Sequence, residues 1–197
     1  MTDQKTIQAY NGQVDNYLKM VGELEVDPIL LRFIDRLKAN DYVLDLGCGP
    51  AIASAVMRDK GLRVDPVDAA AGMVQLANDK FDIAARQAQF SDIDITNMYQ
   101  GVWANFSLLH AQTEDLAAIL LALHTALVTN GVLHLGMKLG QGAKRDKYDR
   151  YYAYYSQTEL VAYVADAGFS VAEVELGESL GMAGDIEPWI VLSCTAR

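Results

Sequence analysis

Positive charge is what this chain has little of: 16 lysines and arginines stand against 26 aspartates and glutamates, for a formal net charge of −10. Proteins that hold phosphate backbones neutralise them with Lys and Arg, so nucleic acid is not expected as a partner. Cysteine is scarce as well. Cys48 and Cys194 are the two present, each inside a strand-like segment, and without a spaced framework they point to a reduced, cytoplasmic setting. No apolar run approaches the roughly 18 to 20 residues that a membrane-spanning helix needs. The opening MTDQKTIQAYNG has no basic patch followed by an apolar core, so a soluble, unsecreted chain without a membrane partner is expected. No stretch is rich in Pro, Gly or Ser and none repeats, so one domain over residues 1–197 is expected, with residues 1–40 forming a helical lid and a packing helix. Neither is metal-ligand spacing of His, Cys and carboxylates found, and no metal is expected. Apolar residues, by contrast, make up 51% of the 197, enough for one well-buried core.

Strand-like runs recur at Tyr42–Leu46, Leu62–Val67, Arg86–Phe90, Gly101–Asn105 and Val132–Met137, separated by helix-like patterns. Such alternation implies right-handed crossovers and a mostly parallel sheet covered on both faces, an α/β doubly wound fold. Val171–Leu176 and Trp189–Cys194 read as a closing hairpin at the sheet edge, which brings the expected sheet to seven strands. Helix ends carry their own chemistry. Asp27 can cap a helix that begins at Pro28, Pro50 can open one that Gly61 closes, and Glu114–Val128 ends at Asn130-Gly131. Ser156 and Glu159 form a capping box before a helix stopped by Gly168. Ahead of the first strand, Ile7, Tyr10, Val14, Tyr17, Leu18 and Val21 make an apolar stripe broken at Asn11-Gly12, read either as packing or as a lid over a ligand.

The most informative stretch is VLDLGCGPA, Val43–Ala51, an apolar strand that ends in Asp45 and runs into Gly47 and Gly49. Two close glycines let a backbone approach a ligand and adopt positive φ. The turn is expected to offer bare N–H groups and a helix N-terminus beside one fixed carboxylate, which suits a ligand bearing both charges. In an open parallel sheet the ligand crevice lies beyond the carboxyl ends of the strands. Asp68 ends the second strand and can accept two hydrogen bonds from a ribose diol. Phe90 and Ser91 end the third and offer an apolar surface and an N–H to a base; Asn105 ends the fourth.

With these residues in order, VLDLGCGPA resembles the first motif of class I S-adenosylmethionine-dependent methyltransferases, an acid, any residue, then Gly-x-Gly. The resemblance covers almost the whole chain. TIQAYNGQVDNY is similar to the leading Tyr-containing helix of small bacterial members that act on small molecules, VDPVDAAAGM to their second strand and ribose acid, and GVWANFSLLH to their fourth strand. GVLHLGMK, YYAYYSQTEL and EPWIVLSCTAR fit the same pattern. The resemblance implies that S-adenosylmethionine is the cofactor, that Gly47, Cys48 and Gly49 admit its methionine moiety with Asp45 orienting the ammonium group, and that Asp68 holds the ribose hydroxyls. It implies further that Ala69, Met73, Phe90, Ser91 and Asn105 border the cofactor. Three departures stand out. Ala51 replaces the last glycine of the commonest first motif, Ala70 stands where many relatives have a serine helix cap, and Gln100 replaces a frequent acid.

The acceptor is less defined. Transfer by in-line displacement needs positioning above all, while a hydroxyl acceptor also needs a base. His110, after the fourth strand, is the candidate base, or else a turn residue. His124 and His134 read as structural. Tyr10, Tyr17 and Tyr152 are expected to enclose a small acceptor, with Lys138 or Arg150 available to a carboxylate on it. The other reading of the tyrosine-rich run is a strand-like edge that packs on the domain. Two competing functions remain at this point: an NAD-dependent oxidoreductase, against which Ile52 stands where a third glycine is wanted, and a non-catalytic S-adenosylmethionine-binding protein. Oligomeric state is left open.

Overall fold

The computed structural model describes residues 3–14, 26–181 and 184–197. Its elements in chain order are α1 Gln4–Asn11, α2 Pro28–Asp35, β1 Tyr42–Leu46, α3 Ile52–Asp59, β2 Arg63–Asp68, α4 Ala71–Phe81, β3 Arg86–Gln87, β4 Tyr99–Asn105, α5 Leu116–Ala126, β5 Leu127–Lys138, β6 Ala143–Arg145, β7 Tyr151–Ala153, α6 Gln157–Asp166, β8 Phe169–Leu180 and β9 Ile186–Ala196. Seven strands form one sheet in the order β3-β2-β1-β4-β5-β9-β8. β1 pairs in parallel with β2 on one side and β4 on the other, so the strand order reverses at β1. β9 enters antiparallel between β5 and β8, as the closing hairpin anticipated. The tyrosine-rich run does not join this sheet. Its Tyr151–Ala153 pairs antiparallel with Ala143–Arg145 as a separate two-stranded hairpin.

Side-chain alternation explains how both faces fill. Along β1, Val43 packs with Leu30, Phe33 and Trp103 on one face, while Leu44 and Leu46 point to the opposite face and the larger core that holds α5 and α6. Among the described residues no helix is long and apolar enough to cross a membrane.

The local signals at helix ends behave as their chemistry requires. Asp27 accepts the Ile29 N–H at 2.8 Å with Pro28 as first helical residue, and Ser156 and Glu159 complete a reciprocal capping box. Two boundaries differ from the expectation. The helix assigned to Pro50 starts at Ile52, because the turn consumes residues through Ala51, whose φ of 59° is left-handed. The helix expected to run from Glu114 to Val128 gives way at Leu127 to β5, which continues through Asn130-Gly131; Asn130 takes φ 64° rather than ending a helix. Phe90 begins a short 3-10 turn, Phe90–Asp92, so β3 is two residues long. Tyr17, Leu18 and Val21 of the leading stripe lie outside the described residues.

Candidate active site

A cavity of about 190 Å³ opens beyond the carboxyl ends of β1, β2 and β4. Its floor is Leu46, Gly47 and Gly49, one wall is Asp68, Ala69 and Met73, another is Ala88 and Phe90, and the far side is Asn105, Phe106, Ser107 and His110. Thr6 and Tyr10 of α1 cover it. The reversal of strand order at β1 creates this crevice, since the connections after β1 and β4 leave in opposite directions.

The glycine turn is tied down from within. Gly47 and Cys48 both donate N–H to the Val67 carbonyl, at 2.8 and 2.9 Å, Gly49 donates to Asp68 Oδ2 at 2.9 Å, and Ala51 donates to the Cys48 carbonyl. The N–H groups expected to be bare are therefore used, and the glycines serve close approach instead. A Cβ at Gly47, where φ is +77°, would lie 2.4 Å from Ser107 Cβ.

Asp68 fastens two loops at once, with Oδ2 on Gly49 N and Oδ1 on Ala70 N at 2.8 Å. Burial raises its carboxyl above the ordinary value, held in check by the N–H groups of Ala70, Gly49 and Ala69. A carboxylate has about four lone-pair positions, so it keeps acceptor capacity beyond these two bonds. Asp45 is placed differently from the expectation. Its side chain is not in the cavity wall but fully buried, accepting from the Ser54 hydroxyl at 2.6 Å; burial, opposed by Ser54 and aided by the Asp68 charge, raises its pKa to about 7. Cys48 is buried outside the wall, and Ser91 is exposed and bonds Asp92. Asn105 lines the cavity and accepts a hydrogen bond from His134 at 2.9 Å; burial lowers the His134 pKa to about 3. Its neighbour Gly136 makes room, since a Cβ there would come within 2.6 Å of Asn105 Oδ1.

His110 is held through both ring nitrogens. Nδ1 lies 2.6 Å from the Tyr151 carbonyl oxygen, which can only accept, so Nδ1 carries the hydrogen. Nε2 is then the basic nitrogen of the neutral ring and accepts the Tyr10 hydroxyl at 2.8 Å. Burial, opposed by the Tyr151 carbonyl and aided by Arg150 and Lys138, lowers the His110 pKa to about 4. Tyr152 packs edge-on against His110 at 4.7 Å between centroids.

The expected acceptor residues divide. Tyr10 is in the cavity, whereas Tyr152 and Lys138 line a second hollow together with Lys144, Tyr154 and Glu187, with Lys138 bonded to Glu187. Arg150 is buried, bonded to Asp146 at 2.6 Å and reaching Tyr10 Oη at 3.3 Å. Tyr17 lies outside the described residues. Thr6, Phe106 and Ser107 are cavity residues that sequence reasoning missed. Ser107 Oγ is buried with no hydrogen-bond partner among the described residues, and Phe106 holds a left-handed φ of 53°. A small polar residue two places past a strand-terminal Asn was the available signal. Nothing in the sequence says that it would face Gly47.

α1 is anchored over this cavity on both flanks. Asp3 pairs with Arg145 through two bonds of 2.7 and 2.9 Å, Thr6 Oγ1 accepts the Tyr151 N–H, and Asn11 Oδ1 accepts the Gly72 N–H.

A family model described as a methyltransferase domain matches residues 17–174. No curated protein matches the chain by sequence. Solved structures similar to it include the 1,6-didemethyltoxoflavin-N1-methyltransferase of Burkholderia thailandensis with bound 1,6-didemethyltoxoflavin and S-adenosylhomocysteine, at 17% identity and TM-score 0.78, covering 98% of this chain and 88% of that one. A SAM-dependent methyltransferase of Methanosarcina mazei matches at 17% identity and TM-score 0.76, covering 88% and 99%. A TehB-like SAM-dependent methyltransferase of Corynebacterium glutamicum matches at 14% and 0.72, covering 96% and 100%. At such identities the likeness is one of fold.

Proposed function

The chain belongs to the methyltransferase-domain family, and from that premise we propose that it transfers a methyl group from S-adenosylmethionine to a small-molecule acceptor. It is a class I methyltransferase enzyme, with S-adenosylmethionine as its cofactor. The observation that carries the reading is the cavity at the β1 reversal, with the Gly47–Gly49 turn on one side and Asp68 on the other. The residues suit that cofactor. Asp68 has acceptor capacity left for a ribose diol, and Ser107 Oγ is a buried hydroxyl whose unmet hydrogen bond a polar ligand would satisfy.

When bound, the cofactor supplies an electrophilic methyl group on a sulfonium. The remaining tasks fall to the chain. Gly47 and Gly49 allow close approach of the methionine portion, Asp68 orients the ribose, and Ala69, Met73, Ala88 and Phe90 give apolar walls for the base. Asn105 borders the methionine side, held by His134. Asp45 acts through the turn, by way of Ser54, rather than by touching the ligand. α1 excludes water and brings Tyr10 to the acceptor side, so that positioning supplies the larger share of the rate enhancement. The small cavity and the net charge of −10 favour a small molecule over a nucleic acid.

Calorimetry with S-adenosylhomocysteine and with NAD, followed by methyl transfer from labelled cofactor into a metabolite extract, tests the reading. Binding of the nucleoside thioether and a labelled product are expected. Tight NAD binding without response to the thioether would sink it.

A further inference from the structure

His110 cannot reach an acceptor directly while its one basic nitrogen is covered by Tyr10. The geometry points to Tyr10 as the residue that meets the acceptor, in a proton path from acceptor to Tyr10 Oη and from Tyr10 Oη to His110 Nε2, and to a neutral hydroxyl as the acceptor class. The inference rests on the reading of this cavity as the methyl-transfer site.

Three observations carry it. The tautomer of His110 is fixed by the Tyr151 carbonyl, so Nε2 is poised to take a proton and nothing else. Arg150 Nη1 donates toward Tyr10 Oη, which aims the Tyr10 hydrogen at His110, and a phenol oxygen that gives up its hydrogen to Nε2 becomes the acceptor of the next. Among the described residues that line the cavity with Tyr10 are the neutral Thr6, Phe106 and Ser107, no lysine or arginine, and one carboxylate, Asp68, already bonded to two N–H groups. A cationic amine would meet the Arg150 guanidinium behind Tyr10, and an anionic acceptor finds no lysine or arginine in the described lining, the nearest, Arg150, being paired with Asp146. A hydroxyl finds Tyr10 to accept its proton and the Ser107 hydroxyl, buried without a partner among the described residues, to hold it.

In the step, the acceptor O–H bond breaks and its electron pair stays on the acceptor oxygen, which becomes the nucleophile. The proton passes to Tyr10 Oη as the Tyr10 proton passes to Nε2, leaving an imidazolium that Nδ1–H still ties to Tyr151. The charged and titratable groups that face His110 are Tyr10 on α1, Arg150 and Asp146 before β7, Lys138 on β5 and Tyr152 on β7. The new oxygen anion raises the affinity of His110 for the proton at the moment it is needed.

The test begins with nuclear magnetic resonance of the full chain carrying labelled histidine. His110 is expected as the Nδ1–H tautomer, with an Nε2 resonance that Tyr10→Phe shifts; an Nε2–H tautomer, or no shift, overturns the path. Wild type, Tyr10→Phe and His110→Gln are next measured for S-adenosylhomocysteine affinity, so that any cofactor-binding loss from removing the bond between α1 and His110 is separated from kcat. Turnover with labelled cofactor is then measured on phenols, amines, thiols and carboxylic acids. Label should enter the hydroxyl acceptors, with kcat reduced about 100-fold or more in each variant, KM little changed, and the acidic limb of the pH profile lost in His110→Gln. Label in other classes only, in none, or at full rate in Tyr10→Phe overturns the inference while leaving cofactor binding intact. Loss of S-adenosylhomocysteine binding in the wild type would instead remove the methyltransferase reading itself.

Discussion

Asn11 Oδ1 accepts the Gly72 N–H at 2.8 Å, so a residue of α1 caps the first turn of α4. Ala70, the residue at the N-cap of α4, has no side chain able to do this. The serine that many class I relatives carry there is replaced by a contact from the covering helix, which ties the loop after Asp68 to α1. An N-cap side chain contributes about 1 kcal/mol. Asn11→Ala is therefore expected to speed hydrogen exchange at the Gly72 amide about fivefold, and to weaken S-adenosylhomocysteine binding in step. Exchange as slow as in the wild type would show that α4 does not depend on α1 for its cap.

Asp68 is expected to matter for folding as well as for ligand. Asp68→Ala removes the acceptor for both Gly49 N and Ala70 N, and each N–H left unbonded in a buried place costs about 1–3 kcal/mol. S-adenosylhomocysteine affinity should fall by about two orders of magnitude, with unfolding free energy lower by about 2 kcal/mol or more. Calorimetry and urea unfolding on the same preparation separate the two. Undiminished affinity would move the ribose elsewhere; undiminished stability would show that water replaces the carboxylate.

The contrast between Asp68 and Asp45 shows what the sequence could and could not convey. Both are acids at the carboxyl ends of strands, Asp45 ahead of glycines and Asp68 ahead of alanines, and the alternation of strands and helices placed both correctly at the carboxyl edge of the sheet. Which of them faces the cavity depends on pleat and register. Asp45 is set opposite Pro66 and Trp103 by its pairing and turns to Ser54, nine residues on, a partner chosen by the path of α3. Gly47 and Gly49 were legible as a turn because their positive φ is a local property. That Gly47 would lie against Ser107 was not, since that contact joins the ends of two strands. The same holds for Tyr10 and His110, a hundred residues apart, each readable as polar and aromatic but not as a pair.

Gly47 is expected to tolerate no side chain. Alanine there meets both a left-handed φ, costing about 1–2 kcal/mol, and overlap with Ser107, costing about 1–3 kcal/mol. Gly47→Ala should be destabilised by about 2–5 kcal/mol. The double variant with Ser107→Gly should recover the overlap and keep the conformational strain. Ala51→Gly makes the reverse case: it relieves a left-handed alanine but removes a fully buried methyl worth about 0.8 kcal/mol, and should unfold within about 1 kcal/mol of the wild type. Urea midpoints of the four proteins decide it. A Gly47→Ala protein as stable as the wild type would mean that Ser107 moves freely.

His110 and Asp45 should drive stability in opposite directions across the same pH range. His110 has a folded pKa of about 4, below the ordinary 6.5, so between those values the unfolded chain binds a proton that the folded chain refuses. Its contribution to stability is full above pH 6.5 and is lost as pH falls toward 4. Asp45 has a folded pKa of about 7 against the ordinary 3.8, so between those values the folded chain keeps a proton that the unfolded chain has released, and its contribution declines as pH rises toward 7. Removing one group at a time isolates each slope. The unfolding free energy of the wild type minus that of His110→Gln should grow by on the order of 3 kcal/mol from pH 4 to pH 6.5, while the difference from Asp45→Asn should shrink over pH 4 to 7. His134, with its pKa lowered to about 3, adds to the histidine slope in the wild type and in both variants alike, and so cancels from each difference. A His110 difference that is flat with pH would mean that the imidazole is solvated in the folded chain and that Tyr10 does not cover it.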